Sequence, residues 1–353
     1  MSDAYTDQPT SVRDEDALDA EAIYSWLSTQ IDGLAAPPHI QQFGGGASNL
    51  TYLLTFGDRE LVLRTSPRGT RAASAHDMGR EVRVQRALHG HVPVPTIVAH
   101  DTEGAMLGRE AYVMERLTGM ILRKHPPKGL TLTPNAATQL CEAAIHGLAD
   151  LHTLDAHGVG LGDLGKGQGY VQRQIAGWSR RYRAALTEHA ASFEGVMAWL
   201  ETHQPADVAT VIIHNDYRLD NLVLTVDAPH RIIGVLDWEM CTLGDPLMDV
   251  GNSLAYWVQE DDPDLMKMVR RQPTHLPGML TRTQVWQAYA QRTGRRVDNP
   301  CFYEVYGLFR LAVIVQQIYL RFEKGQTTNP RFANFGAFAH WLESVCEARI
   351  AAG

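Results

Sequence analysis

With 353 residues, 44% hydrophobic and 20% charged, the chain has the composition of a folded globular protein long enough to bury two cores. A net charge of −8 works against nucleic acid or an anionic membrane as the main partner, because either needs clustered cations to displace counterions. Cys141, Cys241, Cys301 and Cys346 stand far apart, without C-x-x-C pairs or histidines at ligand spacing, which argues against zinc or a disulfide framework and leaves them as small core residues.

Residues 1–19 are acidic and polar, with no apolar run of signal-peptide type, and no segment reaches the length of a membrane span. The expectation is a flexible leader on a cytoplasmic protein. A short amphipathic helix follows around Ala20 to Gln30. The chain then reads as strand, glycine loop, strand, strand: Ile40–Phe43, the run Gly44-Gly45-Gly46-Ala47-Ser48, Asn49–Phe56, a turn at Gly57-Asp58, and Glu60–Thr65. A helix from about Ala73 to Leu88 ends before Pro93 and Pro95, and two further strands are expected near Thr96–His100 and Glu110–Leu117. These pieces make a small β-rich lobe, 20–117, with one helix on it.

From Thr133 the hydrophobic period becomes helical. Helices are expected at Asn135–Leu154, Gln168–Leu186, Phe193–His203, Leu247–Val258, Thr281–Arg292, Tyr303–Phe322 and Arg331–Arg349. The second lobe, 118–353, is therefore helical, and the fold class is α+β in two lobes. Glu115 to Leu117, within Met114–Gly119, then falls at a hinge, where an adenine ring would pair with backbone groups in a cleft.

Between those helices lies VIIHNDYRLDNLVL, followed by RIIGVLDWE. Val211–Ile213 reads as a buried strand and His214–Asn221 as the loop at its end. Leu222–Leu224 and Ile232–Leu236 form a hairpin that brings Asp237 back to the same place. The pattern is H-x-D-x-x-x-x-N and then Asp, which is what phosphoryl transfer asks of a protein. Asp216 is the candidate base for an attacking hydroxyl. Asn221 and Asp237 are hard oxygen donors suited to Mg²⁺ on a nucleotide triphosphate, with ATP as donor. Arg218, two residues past Asp216, would stabilise charge on the transferred group. His214 braces the loop or transfers protons; Glu239 supports the metal from behind or hydrogen-bonds a neighbouring amide; the glycine run, with Gly44, Gly45, Gly46 and Ser48, offers backbone amides to phosphates or is a plain turn.

With these motifs, and with Gly244-Asp245-Pro246-Leu247-Met248-Asp249 after them, the chain resembles the aminoglycoside phosphotransferase and choline kinase superfamily over about residues 38–325. Within it, HNDYRLDN and LDWEMCTLGDPLMD are most like the branch found fused to, or encoded beside, acyl-CoA dehydrogenases. The resemblance implies a protein-kinase-like fold, ATP and Mg²⁺. It also implies that Asp249 accepts hydrogen bonds from the catalytic loop, the alternative being a helix cap. Kinase-like folds place a phosphate-anchoring lysine on the third strand, paired to a glutamate of the next helix. Here no lysine precedes Lys124, and the corresponding residue is Arg64, with Glu81 as its expected partner.

Few residues separate Asp237 from Gly244, which leaves no activation segment and favours a small-molecule acceptor over a protein. The branch likeness points to a hydroxyacyl-CoA. Lys166, Arg173, Arg180, Arg181 and Arg183 either meet CoA phosphates or form a solvated helix face. The alternatives are an aminoglycoside, choline or another small alcohol as acceptor, or a nucleotide-binding regulatory module without catalysis.

Overall fold

The computed structural model describes residues 5–44, 49–67, 77–327 and 329–353. In chain order the elements begin with α1 (Ala20–Leu27), β1 (His39–Gln42), β2 (Leu50–Phe56), β3 (Arg59–Thr65), α2 (Met78–Leu88), β4 (Ile97–Asp101) and β5 (Ala111–Glu115). Then come α3 (Pro134–Leu151), α4 (Tyr170–Ala184), α5 (Glu194–Thr202), β6 (Val211–Ile213), β7 (Leu222–Leu224), β8 (Ile232–Val235) and β9 (Thr242–Gly244). The chain ends in α6 (Pro246–Leu254), α7 (Asp264–Val269), α8 (Arg282–Thr293), α9 (Pro300–Glu323) and α10 (Phe335–Ala352). The expected start of α2 near Ala73 lies outside the described residues.

The chain divides into two compact units. The first unit runs to Leu132 and also takes back Leu219–Cys241; the second holds Thr133–Arg218 and Thr242–Gly353.

In the first unit the sheet runs β1-β2-β3-β5-β4, antiparallel throughout. Alternation along β3 decides what each face meets. Leu61 and Leu63 join Ile23 and Leu27 of α1 in one core, while Val62 points to the opposite face with Met78 and Val82 of α2. Arg64, two residues after Val62, lands on the α2 face. In the N-terminal segment Thr10 bridges to Gln42, and the Tyr52 hydroxyl donates to the carbonyl of Asp16, which is buried. The β7–β8 hairpin belongs here because Met120 and Leu224 exchange backbone hydrogen bonds of 2.7 and 2.8 Å, and Val235 donates to the Pro93 carbonyl. Gly119 permits that approach, since a Cβ there would stand 2.6 Å from the Leu224 carbonyl oxygen.

The second unit is helical, with one short ladder, β6 against β9. Asp245 caps α6 by accepting from the Leu247 and Met248 amides, and Pro246 sits in its first turn. α9 lies against α6 at a glycine pair: a Cβ on Gly307 would fall 2.1 Å from the Gly251 carbonyl oxygen. That contact brings the middle of α9 close to the segment bearing Asp249 and Asn252. All four cysteines are buried and unbridged. Among the described residues no helix is long and apolar enough to cross a membrane.

Candidate active site

In the first unit a cleft is lined by Thr51, Val62 and Arg64 of the sheet, by Met114, Glu115, Leu117 and Gly119 after β5, and by Asn221, Leu236 and Asp237. The hairpin register explains the last group. Leu222 pairs with Val235, so Asn221 and Leu236 fall opposite each other just beyond the ladder, and Leu236 donates to the Asn221 carbonyl at 2.9 Å. Asp237 then adopts a left-handed conformation, φ 69°, unusual for a non-glycine residue. Its side chain does not cap the following turn; it meets Arg64 instead.

Arg64 bridges two carboxylates, with Nη1 3.2 Å from Glu81 Oε1 and Nη2 3.3 Å from Asp237 Oδ1. Glu81 is 1% exposed at its side chain and Asp237 33%. Burial works against the guanidinium charge, but Glu81, Tyr112, Asp237 and Glu239 outweigh it and hold the Arg64 pKa above its ordinary value. Burial likewise pushes the Glu81 carboxyl up, with Arg64 pulling against it. Glu239 accepts a hydrogen bond of 3.1 Å from the Asn49 side-chain amide, at the end of the glycine run. Gly44 is described; Gly45, Gly46 and Ser48 lie outside the described residues. Arg80 of α2, not singled out in the sequence, donates to the Cys241 carbonyl through Nε and Nη2 at 3.1 and 2.7 Å.

In the second unit β6 ends at Ile213, and the loop that follows is fixed through its backbone. The amides of His214 and Asn215 both donate to the Asp249 carboxylate at 2.7 Å. Of the two roles weighed for Asp249, the loop contact is the one formed, and Asp245 does the capping. Asn215 takes a left-handed conformation, φ 67°, and its side-chain oxygen accepts from Tyr170 and Asn252 at 3.0 and 3.2 Å. The Asp216 amide donates to His214 Nδ1 at 3.2 Å, within the loop itself. Arg218 donates to Asp216 Oδ2 at 3.0 Å, and its guanidinium lies over the Tyr256 ring at 4.5 Å.

Asp249 is held in turn by His152, Nε2 to Oδ2 3.1 Å, whose other nitrogen bonds the Tyr289 hydroxyl at 2.8 Å. Burial pushes Asp249 up, but His152, His214 and the loop amide bring it below the ordinary carboxylate value. Burial lowers His152, so the ring stays neutral beside an ionised carboxylate. Of the cations along α4, Arg173 donates to the carbonyls of Gly167 and Gln168, and Arg183 is paired to Glu194. The stretch is thus not a continuous cationic face.

This set of loops, carboxylates and helices has a counterpart in known proteins. The phosphotransferase enzyme family matches residues 39–288, and the chain belongs to that family. Its two-lobed α+β architecture is that of the protein-kinase-like aminoglycoside phosphotransferases, and it is an enzyme of phosphoryl transfer. A crystal structure from Ralstonia eutropha, assigned as an aminoglycoside phosphotransferase, is similar at TM-score 0.80 and 32% identity, covering 94% of this chain and 98% of that one. Acyl-CoA dehydrogenase family member 10 of Mus musculus is 35% identical over 318 residues, 89% of this chain and 29% of that protein. The chain spans less than half the length of the curated relatives it matches. A ternary complex of a thermostable variant of aminoglycoside phosphotransferase APH(4)-Ia with AMP-PNP and hygromycin B shares the fold, at TM-score 0.57 and 14% identity over 95% of this chain and 99% of that one.

Proposed function

We propose that the chain transfers the γ-phosphoryl group of ATP to a hydroxyl of a hydroxyacyl-CoA, with a 4-hydroxyacyl-CoA as the preferred acceptor. ATP as donor is supported by the kinase-type motif, and by a relative in fold that binds AMP-PNP. In this reading the oxygen of the acceptor attacks the γ-phosphorus while its proton passes to Asp216. The bond from that phosphorus to the bridging oxygen breaks, and ADP leaves. Arg218, which pairs with Asp216, stabilises the charge that develops on the equatorial oxygens. Arg64 grips the phosphates, with Glu81 holding it in place, and the backbone from Glu115 to Leu117 takes the adenine. Gly44, Gly45, Gly46 and Ser48 supply amides over the phosphates.

Asn221 and Asp237 would hold Mg²⁺. The donor set fits: both line one cleft, both offer oxygen, and among the described residues no cluster of three His, Cys, Asp or Glu forms an all-protein cage. That suits a cation that keeps water and phosphate oxygens as its other ligands, and bound there it would neutralise charge on the nucleotide. Glu239 and Asn49 link the hairpin end to the residue that follows the glycine run.

The observation that carries the acceptor is the match to an acyl-CoA dehydrogenase family member across 89% of the chain. The Ralstonia eutropha relative favours a second reading, an aminoglycoside acceptor. Offering the purified protein a 4-hydroxyacyl-CoA, the matching free acid, choline and an aminoglycoside with labelled ATP separates them. The highest kcat/KM is expected for the CoA thioester; equal or better use of a cationic acceptor overturns the CoA assignment and leaves the phosphotransferase standing.

A further inference from the structure

Among the described residues two arginines are buried to about one part in twenty, Arg282 at 6% and Arg310 at 5% exposure, and only one of the two has an ionic partner there. Arg282 is paired to Asp262. Arg310, in the middle of α9, makes no ion pair and no hydrogen bond among the described residues; its contact is with the face of Trp178, 5.4 Å from the ring centroid. A guanidinium keeps its charge at any working pH, and burying it without an opposite charge costs stability. Such a cost is tolerated where a ligand supplies the missing anion.

The surroundings of Arg310 are aromatic and adjoin the catalytic loop. Trp178 of α4 lies against Arg310 and also carries Arg181 on its ring, at 4.3 Å. Tyr306 stands one turn before Arg310 in the same helix. Burial pushes Tyr170, Tyr256 and Tyr306 up, and Arg310 pulls each of them back, so its charge reaches all three rings. Two of these tyrosines touch the catalytic loop: Tyr170 donates to Asn215, and Tyr256 carries Arg218, which holds Asp216. The glycine contact between α6 and α9 keeps Arg310's helix close to that loop's support.

We infer that Arg310 is an anion-recognition point for the hydroxyl acceptor in the second unit: it binds a negatively charged group of that molecule, against the Trp178 and Tyr306 rings. The inference deepens the acceptor reading above and rests on it. Two sources supply the same chemistry, a CoA phosphate or a carboxylate on a free hydroxy acid. A cationic acceptor supplies neither.

The test uses Arg310→Met, Arg310→Gln and Arg310→Lys in the full chain, with four measurements. Thermal unfolding without acceptor should be unchanged or raised in Arg310→Met, since a buried charge without partner is removed; a clear drop would mean that Arg310 serves the fold, which overturns the inference. ATP binding should be unchanged in all three. The KM for the anionic acceptor should rise about 10–100-fold in Arg310→Gln, the range for loss of one hydrogen bond to a charged group, with partial recovery in Arg310→Lys. To identify the source, the same hydroxyacyl chain is offered as CoA thioester, as pantetheine thioester lacking the nucleotide phosphates, and as free acid. If a CoA phosphate is bound, the defect appears with the first alone; if a carboxylate, with the last. Unchanged KM for both CoA thioester and free acid overturns the inference while the acceptor reading stands. If the wild type phosphorylates none of the three, the acceptor reading fails; calorimetric titration of CoA and of the free acid then decides, loss of binding in Arg310→Gln retaining the anion site and equal binding overturning it.

Discussion

Glu81 and Asp249 are both buried carboxylates, 1% and 0% exposed, and they are held in opposite ways. Asp249, in the second unit, spends its charge on two backbone amides and a neutral imidazole. None of those partners can leave without unmaking the loop from His214 to Arg218. Glu81, in the first unit, faces one arginine, and that arginine is shared with Asp237, whose side chain is one-third exposed. A phosphate or a cation arriving in the cleft can redistribute those charges. The first arrangement fixes geometry; the second is a charge balance that a ligand can shift.

The sharpest probe of the fixed side is the residue it presents. Asp216→Asn should lower phosphoryl transfer by about 10²–10⁴-fold while leaving ATP binding nearly intact, the range for a positioned general base. Near-normal turnover would remove Asp216 from that role. The support behind it should show chiefly in stability: Asp249→Ala leaves two buried amides and His152 without their acceptor, a loss on the order of 3–5 kcal/mol. Urea unfolding of the variant measures it, and a cost below about 1 kcal/mol would show that the loop is held by other contacts.

The adjustable side predicts a divorce between stability and nucleotide binding. Arg64→Ala should raise the KM for ATP by about 10–100-fold and also destabilise the first unit, because Glu81 is then buried without a counter-charge. Arg64→Lys should retain part of both, as a point charge in place of a fork. Combining Arg64→Ala with Glu81→Gln should restore much of the stability but none of the ATP binding. If the double variant regains ATP affinity, Arg64 serves the fold rather than the phosphates.

These contrasts trace what local pattern can and cannot carry. The strands of the first unit, the β7–β8 hairpin and most helices follow from alternation, from period and from glycine or proline punctuation, all confined to a few consecutive residues. Arg64 and Glu81 are legible as a pair through the resemblance to kinase-like folds, which puts an anchoring cation on the third strand and its partner on the next helix. His152 was not, since its partner Asp249 lies far along the chain and a single histidine at a helix end carries no periodic signal. β9, three residues ending in Gly244, is too short to declare itself without its partner β6. The assignment of Leu219–Cys241 to the first unit depends on Met120 bonding Leu224, a pairing that neither segment announces alone. For the α4 arginines, spacing does not reveal that Arg173 turns back on its own loop.

The smallest expected effect concerns pH, and on the fixed side His152 carries it. His152 is lowered by burial below its ordinary value near 6.5, so below about pH 6.5 the unfolded chain takes up a proton that the folded one refuses. Stability from this group is therefore complete above about pH 6.5 and is lost as pH falls from there toward the lowered folded value. Asp249 acts in the same direction further down, because its folded value lies below the ordinary carboxylate one and its contribution fades as the medium reaches the acid range. Between about pH 7.5 and 5 the urea midpoint of the wild type should fall relative to that of His152→Gln, whose side chain can still donate to Asp249 but does not titrate; Asp245, pushed up to about 6 by burial, works in the opposite direction in both proteins. The Arg64–Glu81 pair should not contribute to the difference, since both proteins retain it. Parallel pH slopes would mean that His152 is protonated in the folded state as readily as in the unfolded one, and the neutral-ring account of the loop support would then have to be replaced by an ion pair.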